Sequence, residues 1–453
     1  MAIRVHPSTF DPTRFEAFRF LSRSIDEDGT ISLHYALDEE IEFVERFELP
    51  QGTLVSDDDR ERIDGILTLL HLLAGVSYYK TAVPPSIESE PLSPAVAKLL
   101  EAVYSEGLGE FAFTNELDAL PTPAFPAHEA ESEAATSEPR DLERVLVPIG
   151  GGKDSAVALE VVRKAGLDLS LFSVGDAPPI ARTAAVAELP HLIVRRELDP
   201  MIGDLNRAGA LNGHVPITAI VSCVAILTAA LHEFDAVAMA NERSASKGNV
   251  NWGGIDVNHQ FSKSIRVERM MRSALAELGA GVDYFSVLRP ASELGIAKAF
   301  TQLTAYHQAF SSCNTNFRLD GSVPSARWCC DCPKCRFVFL VMAPFSEPEH
   351  IREIFGSDML EDESQFEGFA LLTATGGFKP FECVGEEEES KAAIGMLAAD
   401  PRWRDHRIVR RLSEQVLSES ATEETLAVRA LELSDEHTVP LELMASLRAL
   451  LGS

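Results

Sequence analysis

The stretch Val145-Leu-Val-Pro-Ile-Gly-Gly-Gly-Lys-Asp-Ser155 decides the fold. An apolar run of the length of one buried strand turns through three glycines into residues that open a helix. Glycines at such a turn permit positive φ and close approach, so successive backbone N–H groups and the helix N-terminus can surround phosphate oxygens. Lys153 adds a point charge, and Asp154 suits Mg²⁺, which takes one or two carboxylates alongside phosphate oxygens. Ser155 can donate its hydroxyl to a phosphate or cap the helix. Only 10 of the 40 basic residues are lysines, which sets a lysine at this turn apart from ordinary surface charge. The loop is not a Walker motif, because no Gly-Lys-Ser/Thr follows four residues after the first glycine. Nor is it the dinucleotide fingerprint, since Ser155 stands where the third glycine belongs. Taken alone, a glycine turn without a ligand is the competing reading.

Working outward, a helix runs on to Lys164, followed by the strand Leu169 to Val174, the helix Ile217 to His232, the strand Ala236 to Ala240 and the helix Ile265 to Leu278. Short apolar strands alternating with helices predict an α/β fold with a parallel sheet, whose ligands bind at the carboxyl ends of the strands. Upstream, Ile31, Leu33, Tyr35 and Leu37 alternate, and Ile41 to Leu49 partly repeats the pattern, so antiparallel strands are expected before a helix over Ile63 to Tyr79. Pro121, Pro123, Pro126 and Pro139 lie among Glu, Ala, Ser and Thr and read as a linker. The expected organisation is a β-rich N-terminal domain over 1–117, a linker over 118–140, an α/β domain over 141–345 and an acidic helical C-terminal region over 346–453, including the run Glu386 to Glu389.

The chain has 453 residues, 45% of them hydrophobic and 24% charged, enough to bury a core in two or three domains and to exclude a disordered or fibrous protein. Lys plus Arg is 40 and Asp plus Glu is 70, giving 40 − 70 = −30, which opposes attraction to nucleic acid or an anionic bilayer. The N-terminal MAIRVHPSTF carries charge and proline where a secretory signal needs an apolar run. The longest uncharged stretch, Val215 to Leu231, is short for a membrane span and contains Pro216, Thr218, Ser222 and Thr228, so it reads as a buried helix. Of seven cysteines, five lie between Cys313 and Cys335, which suggests a metal site in a reducing cytoplasm. Cys329, Cys332 and Cys335 at intervals of three, with Cys313 upstream, supply four thiolates for a closed tetrahedral Zn²⁺ site, with Pro333-Lys334 as the tight turn. Four thiolates leave no open position, so such a zinc is structural. Cys330 is a spare that can replace Cys329.

With its glycine loop the chain resembles the PP-loop ATP pyrophosphatases, whose pattern is Ser-Gly-Gly-x-Asp-Ser and which cleave ATP between the α- and β-phosphates. Gly150 departs from that pattern and removes one hydroxyl contact. The resemblance implies a PP-loop parallel-sheet core of the adenine nucleotide alpha hydrolase type over 141–345, with ATP on Gly150, Gly151, Gly152, Lys153, Asp154 and Ser155. It further implies that Ser173, Gly175 and Asp176 lie near the adenosine and that Asn241, Glu242 and Ser244 line the same crevice. Pro290-Ala-Ser-Glu-Leu-Gly-Ile-Ala-Lys298, Ser312-Cys313 and Cys329-Cys-Asp-Cys332-Pro-Lys-Cys335 resemble the corresponding segments of the 7-cyano-7-deazaguanine synthases, on which likeness Lys298 reaches the triphosphate. That likeness covers about Arg144 to Leu340.

Across most of the chain, Phe15-Glu-Ala-Phe-Arg-Phe20, Leu72-Leu-Ala-Gly-Val-Ser-Tyr-Tyr-Lys80, Gly213-His-Val-Pro216 and Pro380-Phe-Glu-Cys-Val-Gly385 are similar to the UDP-N-acetylmuramoyl-L-alanyl-L-glutamate epimerases of bacterial cell-wall synthesis. This likeness implies ATP-dependent inversion of the terminal L-glutamate through an acyl-adenylate, with Mg²⁺, release of AMP and pyrophosphate, and a UDP-linked muramoyl dipeptide as substrate. The chemistry coheres, because an α-carboxylate resists loss of the neighbouring Cα proton and adenylation removes its charge. Lys153, Asp154 and His259 are the expected catalytic residues, His259 as the base because imidazole titrates near working pH. His214 and Cys383 are weaker candidates, and Glu382 beside Cys383 is expected to raise the thiol and disfavour a thiolate. Arg266, Arg243 and Lys263 are candidates for the UDP diphosphate or the glutamate side chain. Two other readings stand beside this one: an AMP-forming ligase or RNA-modifying enzyme on the same fold, and a zinc-stabilised binding module with a decayed loop. ATP consumption separates the last from both enzymes.

Overall fold

The computed structural model describes residues 10–128, 142–317, 326–377, 379–416 and 423–452. Eleven strands are present among them: β1 (Ala17–Ile25), β2 (Thr30–Leu37), β3 (Ile41–Glu48), β4 (Ser86–Glu88), β5 (Arg144–Pro148), β6 (Asp168–Val174), β7 (His191–Glu197), β8 (Ala236–Met239), β9 (Val250–Trp252), β10 (Ile255–Val257) and β11 (Asp283–Ser286). Nine form one sheet in the order β11-β8-β5-β6-β7-β3-β2-β1-β4, and β9 and β10 make a separate hairpin. From β11 to β7 every pairing is parallel. The chain is thus α/β with a large, mostly parallel sheet.

Burial follows strand type. β8, Ala-Val-Ala-Met, is buried along its whole length, as a strand covered on both faces must be. β3 instead alternates buried residues at Ile41, Phe43, Glu45 and Phe47 with more exposed ones between. Successive side chains of a strand point to opposite faces, and the sheet accordingly separates two cores. Leu146, Val237 and Met239 pack on one side with the helices Asp57–Ala74, Ile217–Leu231 and Ile265–Glu277. Val145, Val147, Ala236 and Ala238 pack on the other with Lys153–Lys164, Glu293–Phe300, Pro333–Met342 and the C-terminal helices. The helix expected over Ile63 to Tyr79 is present as Asp57–Ala74 and Val76–Tyr79, opened by a capping box between Ser56 and Asp59.

The N-terminal strands extend the parallel sheet, because β3 pairs antiparallel with β7 through Arg46–Glu197, Phe47–Arg196 and Glu48–Arg195. At this joint the buried Glu45 carboxylate accepts from Arg196 Nε at 2.6 Å, and Arg196 also donates to Ser77 Oγ at 3.0 Å. Of the expected linker, residues 118–128 run against the N-terminal part: Phe125 is buried on Tyr104, and Leu92 N donates to Pro126 O at 2.8 Å. The remainder of that segment, 129–140, lies outside the described residues. No helix among the described residues is long and apolar enough to cross a membrane, and Ile217–Leu231 is a core helix with Ala219, Ile220 and Cys223 to Ala230 buried.

Strand order locates the crevice. The chain leaves β5 for β6 and β7 on one side, then crosses back to β8 on the other. A reversal of this kind opens a gap at the carboxyl ends of the two strands, here between β5 and β8.

Candidate active site

A cavity of about 480 Å³ lies at that gap. Its floor comes from Pro148–Gly150 and Gly152–Ser155 after β5, Phe172–Val174 at the end of β6, and Met239–Glu242 after β8. Lys263, Glu293, Ser312, Lys334 and Cys383 contribute polar groups from more distant segments, while Ile180, Val221, Phe337 and Val338 give it an apolar part. The volume and the mixture of apolar lining with a few convergent polar groups suit a small-molecule ligand.

The glycine turn is shaped by its neighbours. Gly151 has φ +78°, and an added Cβ would lie 2.5 Å from the Pro179 carbonyl carbon and 2.7 Å from Ile180 N. Its carbonyl accepts from Ser311 N at 2.9 Å, pinning the turn to the segment before Cys313. A Cβ on Gly152 would meet Ser312 Oγ at 2.8 Å, whereas one on Gly150 meets nothing within 4 Å. Packing therefore does not require the missing side chain at position 150. Ser155 Oγ lies 3.1 Å from Gly152 O and 3.4 Å from Gly150 N, folded back into the loop.

Lys153 is 2% exposed, with its ammonium between Asp154 and Glu293. Burial works against the charge, but the two carboxylates outweigh it and hold Lys153 protonated above its ordinary range. Burial, with Asp154 nearby, pushes Glu293 well above the usual carboxylate range, and Lys153 only partly offsets this. Glu389 supports the same centre. Its carboxylate accepts from Glu293 N at 2.8 Å and from Glu386 N at 2.7 Å, and burial raises it to about 7. The acidic run Glu386 to Glu389 is therefore partly a buried brace.

Arg289, 1% exposed, positions two further walls. It pairs with Glu268 at 2.9 Å and donates to the carbonyls of Glu242 and Lys263, tying together the segments that place those side chains in the cleft. Asn241 Nδ2 donates to Ser286 Oγ at 3.0 Å.

Of the expected nucleotide residues, Gly150, Gly152, Lys153, Asp154, Ser155, Ser173, Asn241 and Glu242 line this one cavity, with Gly151 forming the turn beneath it. Gly175 and Asp176 follow the end of β6 without lining it, Gly175 accepting from Ser173 Oγ at 2.6 Å. Ser244 is buried in the next turn, outside the lining. Lys298 lies in a different, small cavity with Ser292, Gly295, Leu431 and Leu451. Glu293, from the same segment, is the residue that enters the cleft. The two are five residues apart on one helix, about 140° around its axis, so they cannot face one ligand together. Arg266 is engaged by Glu106, and Arg243 donates to Glu432 O at 3.0 Å.

His259 is half-buried beside the cleft, its Nδ1 against Glu110 and its ring 4.4 Å from that of His214. Burial alone would lower it, but hydrogen bonds to Cys383 and Glu110 raise it to about 9. His214 is pushed down to about 4 by burial and by the neighbouring His259. The expectation for Cys383 is corrected here. Burial raises its thiol, but Lys263 at 3.3 Å, the His259 hydrogen bond and Lys334 prevail and bring it down to about 6. The neighbouring Glu382 carboxylate accepts from Asn314 Nδ2 at 2.6 Å. Sequence adjacency was the wrong guide: the groups that set the thiol come from distant segments.

The sulfurs of Cys313, Cys329, Cys332 and Cys335 all lie within 4.8 Å of one another, with Cys329–Cys335 at 3.7 Å and Cys332–Cys335 at 3.5 Å. Tetrahedral zinc with Zn–S near 2.3 Å requires sulfur separations of about 3.8 Å, so the donor set fits. Cys330 turns away, its Sγ 3.3 Å from Phe355 O, which leaves Cys329 in the cluster.

Residues 9–287 match the family model described as the MurL N-terminal domain, and residues 309–427 match that of the MurL C-terminal domain. A UDP-N-acetyl-alpha-D-muramoyl-L-alanyl-L-glutamate epimerase from a Micromonospora species is 46% identical, the match covering 89% of this chain and 91% of that protein. Proteins of the same name from Salinispora tropica and Xanthomonas oryzae pv. oryzae are 44% and 38% identical, over 89% and 98% of this chain and 89% and 99% of theirs.

The glycine geometry gives a paired expectation. Gly151→Ala must hold a left-handed φ against the Pro179–Ile180 backbone and should lose more than about 1 kcal/mol. Gly150→Ser, with open space before it, should stay within about 0.5 kcal/mol of the parent. Urea unfolding checks both, and equal stabilities would mean that this contact does not hold the turn.

Proposed function

The chain belongs to the MurL family of UDP-N-acetylmuramoyl-L-alanyl-L-glutamate epimerases, and on that premise we propose that it inverts the terminal L-glutamate of this UDP-linked muramoyl dipeptide in the cytoplasm, using ATP. The observation that carries the reading is the meeting of the glycine turn, Lys153 and Asp154 with Cys383, Lys263 and Lys334 in one cleft at the switch point of the sheet. A PP-loop type of ATP site fits the first group. Backbone N–H groups of Gly150 to Lys153 and the start of the following helix take the phosphates, Asp154 holds Mg²⁺ with them, and the apolar side around Val174, Ile180, Val221 and Met239 takes the adenine.

The chemistry follows from charge. Removing the Cα proton beside a carboxylate places a carbanion next to an existing negative charge. Attack of the carboxylate oxygen on the α-phosphorus expels pyrophosphate and leaves an acyl-adenylate, whose acyl group has lost the carboxylate charge and whose carbonyl accepts the electron pair when the proton departs. Reprotonation on the other face inverts the carbon, and water at the acyl carbon releases AMP and the D-glutamyl product. Lys153 places positive charge where negative charge accumulates on the phosphates, a role worth a few kcal/mol in such sites. A zinc ion on Cys313, Cys329, Cys332 and Cys335 would brace the Ser311–Ser312 wall without taking part in the chemistry.

In deuterated water, the dipeptide substrate with ATP and Mg²⁺ should give the D-glutamyl product carrying deuterium at Cα, with AMP and pyrophosphate and no ADP. Inversion without ATP, or AMP formation with configuration retained, would contradict the proposal. Metal analysis should return one zinc per chain, with Cys332→Ser lowering stability before activity, because binding energy at a closed site is folding energy. Zinc-free protein of full stability would contradict that part.

A further inference from the structure

The nucleotide reading leaves one wall of the cleft without a role. Cys383 lines it half-buried, its Sγ 3.3 Å from Lys263 Nζ and close enough to His259 for the two to influence each other's ionisation, while His259 Nδ1 faces Glu110. The charged and titratable groups around the thiol come from separate segments: Lys263 and His259, Lys334, and beyond them Glu110, His214, Asp154 and Glu242. The cations stand nearest, and they favour the thiolate. No other cysteine offers this. Cys223 is sealed in the core, where burial pushes its thiol up, four others converge on one another, and Cys330 faces Phe355 O.

The segments are held in register. His259 N donates to Asn249 Oδ1 at 3.0 Å, and Asn249 Nδ2 donates to Pro380 O at 2.7 Å, tying the His259 loop to the strap that carries Cys383. His259, its Nδ1 held by Glu110 and its pKa raised, is poorly disposed to remove a proton itself.

We propose that the Cys383 thiolate is the base that takes the glutamate Cα proton, and that His259 is a positioning residue that orients the thiolate and keeps it charged. This rests on the acyl-adenylate reading above. The C–H bond breaks, its proton forms the S–H bond of Cys383, and its electron pair passes into the acyl carbonyl as an enolate. Water delivers a proton to the opposite face, and the hydroxide left behind takes the proton from Cys383, restoring thiolate and water.

The test separates activation from proton transfer in the full-length enzyme. ATP–pyrophosphate exchange and AMP release report the first, and Cα deuterium incorporation from deuterated water reports the second. Cys383→Ala and Cys383→Ser should lose Cα exchange by roughly 10²–10⁴-fold, the usual weight of a general base, while still activating the substrate. Wild-type exchange should rise with pH through about 6, as the thiol ionises, and fall above about 9, as His259 loses its proton. His259→Gln should lower kcat with little change in KM and move the rising limb to higher pH. Exchange at the wild-type rate in Cys383→Ala would overturn the assignment and leave the adenylation reading standing. Loss of both reactions in Cys383→Ser, which nearly keeps the size of the side chain, would overturn it as well. A wild-type enzyme that exchanges no pyrophosphate would instead bring down the activation reading, and this proposal with it.

Discussion

An ammonium group buried in the middle of the protein must be paired, and the site is built around meeting that requirement. Lys153 is 2% exposed and lies between Asp154 and Glu293. Removing one partner from such a buried pair typically costs about 3–5 kcal/mol, because the survivor is left charged and dry. Asp154 belongs to the glycine turn, and Glu293 to the first turn of the helix that follows β11 on the same face of the sheet. Glu389 in turn binds the N–H of Glu293. One lysine thus fixes the phosphate-type loop, the helix after β11 and the acidic C-terminal helix relative to one another.

The second organising group is Arg289, which does for the opposite wall what Lys153 does for the loop. Its guanidinium is satisfied by Glu268 and by the carbonyls of Glu242 and Lys263, so two loops that supply cleft side chains share one rigid anchor. Neither centre leaves its charge unpaired. Lys263 and Lys334, by contrast, face the cavity beside a thiol, and their charge favours its thiolate.

Local structure was largely legible in the sequence, since β2 spans Thr30–Leu37 as its alternation implies and the helices after β5 and β8 fall where the apolar periods place them. The joining of β3 to β7 was not, because it pairs residues about 150 positions apart and depends on the buried Glu45–Arg196 contact, which no local pattern announces. In the site, the glycine turn was readable because its residue types are dictated by backbone geometry, and the cysteines because their spacing is. Glu293 was passed over for Lys298 in the same segment, although Ser292 as N-cap put Glu293 at the N-terminal end of the helix, where it is buried against Lys153. The run Glu386 to Glu389 was read only as part of an acidic helical region, and within it Glu389 is buried, as helical spacing allows for one residue in four. Cys383 was misjudged because its neighbours in space, Lys263 and His259, lie more than a hundred residues away in the chain.

The central claim is that the glutamate α-carboxylate attacks the α-phosphorus of ATP in this cleft, and oxygen transfer tests it most directly. With substrate carrying ¹⁸O in that carboxylate, the acyl-adenylate route places one labelled oxygen in AMP, seen by mass spectrometry, and none in pyrophosphate. Inversion accompanied by unlabelled AMP, or by label in phosphate or pyrophosphate, would contradict it.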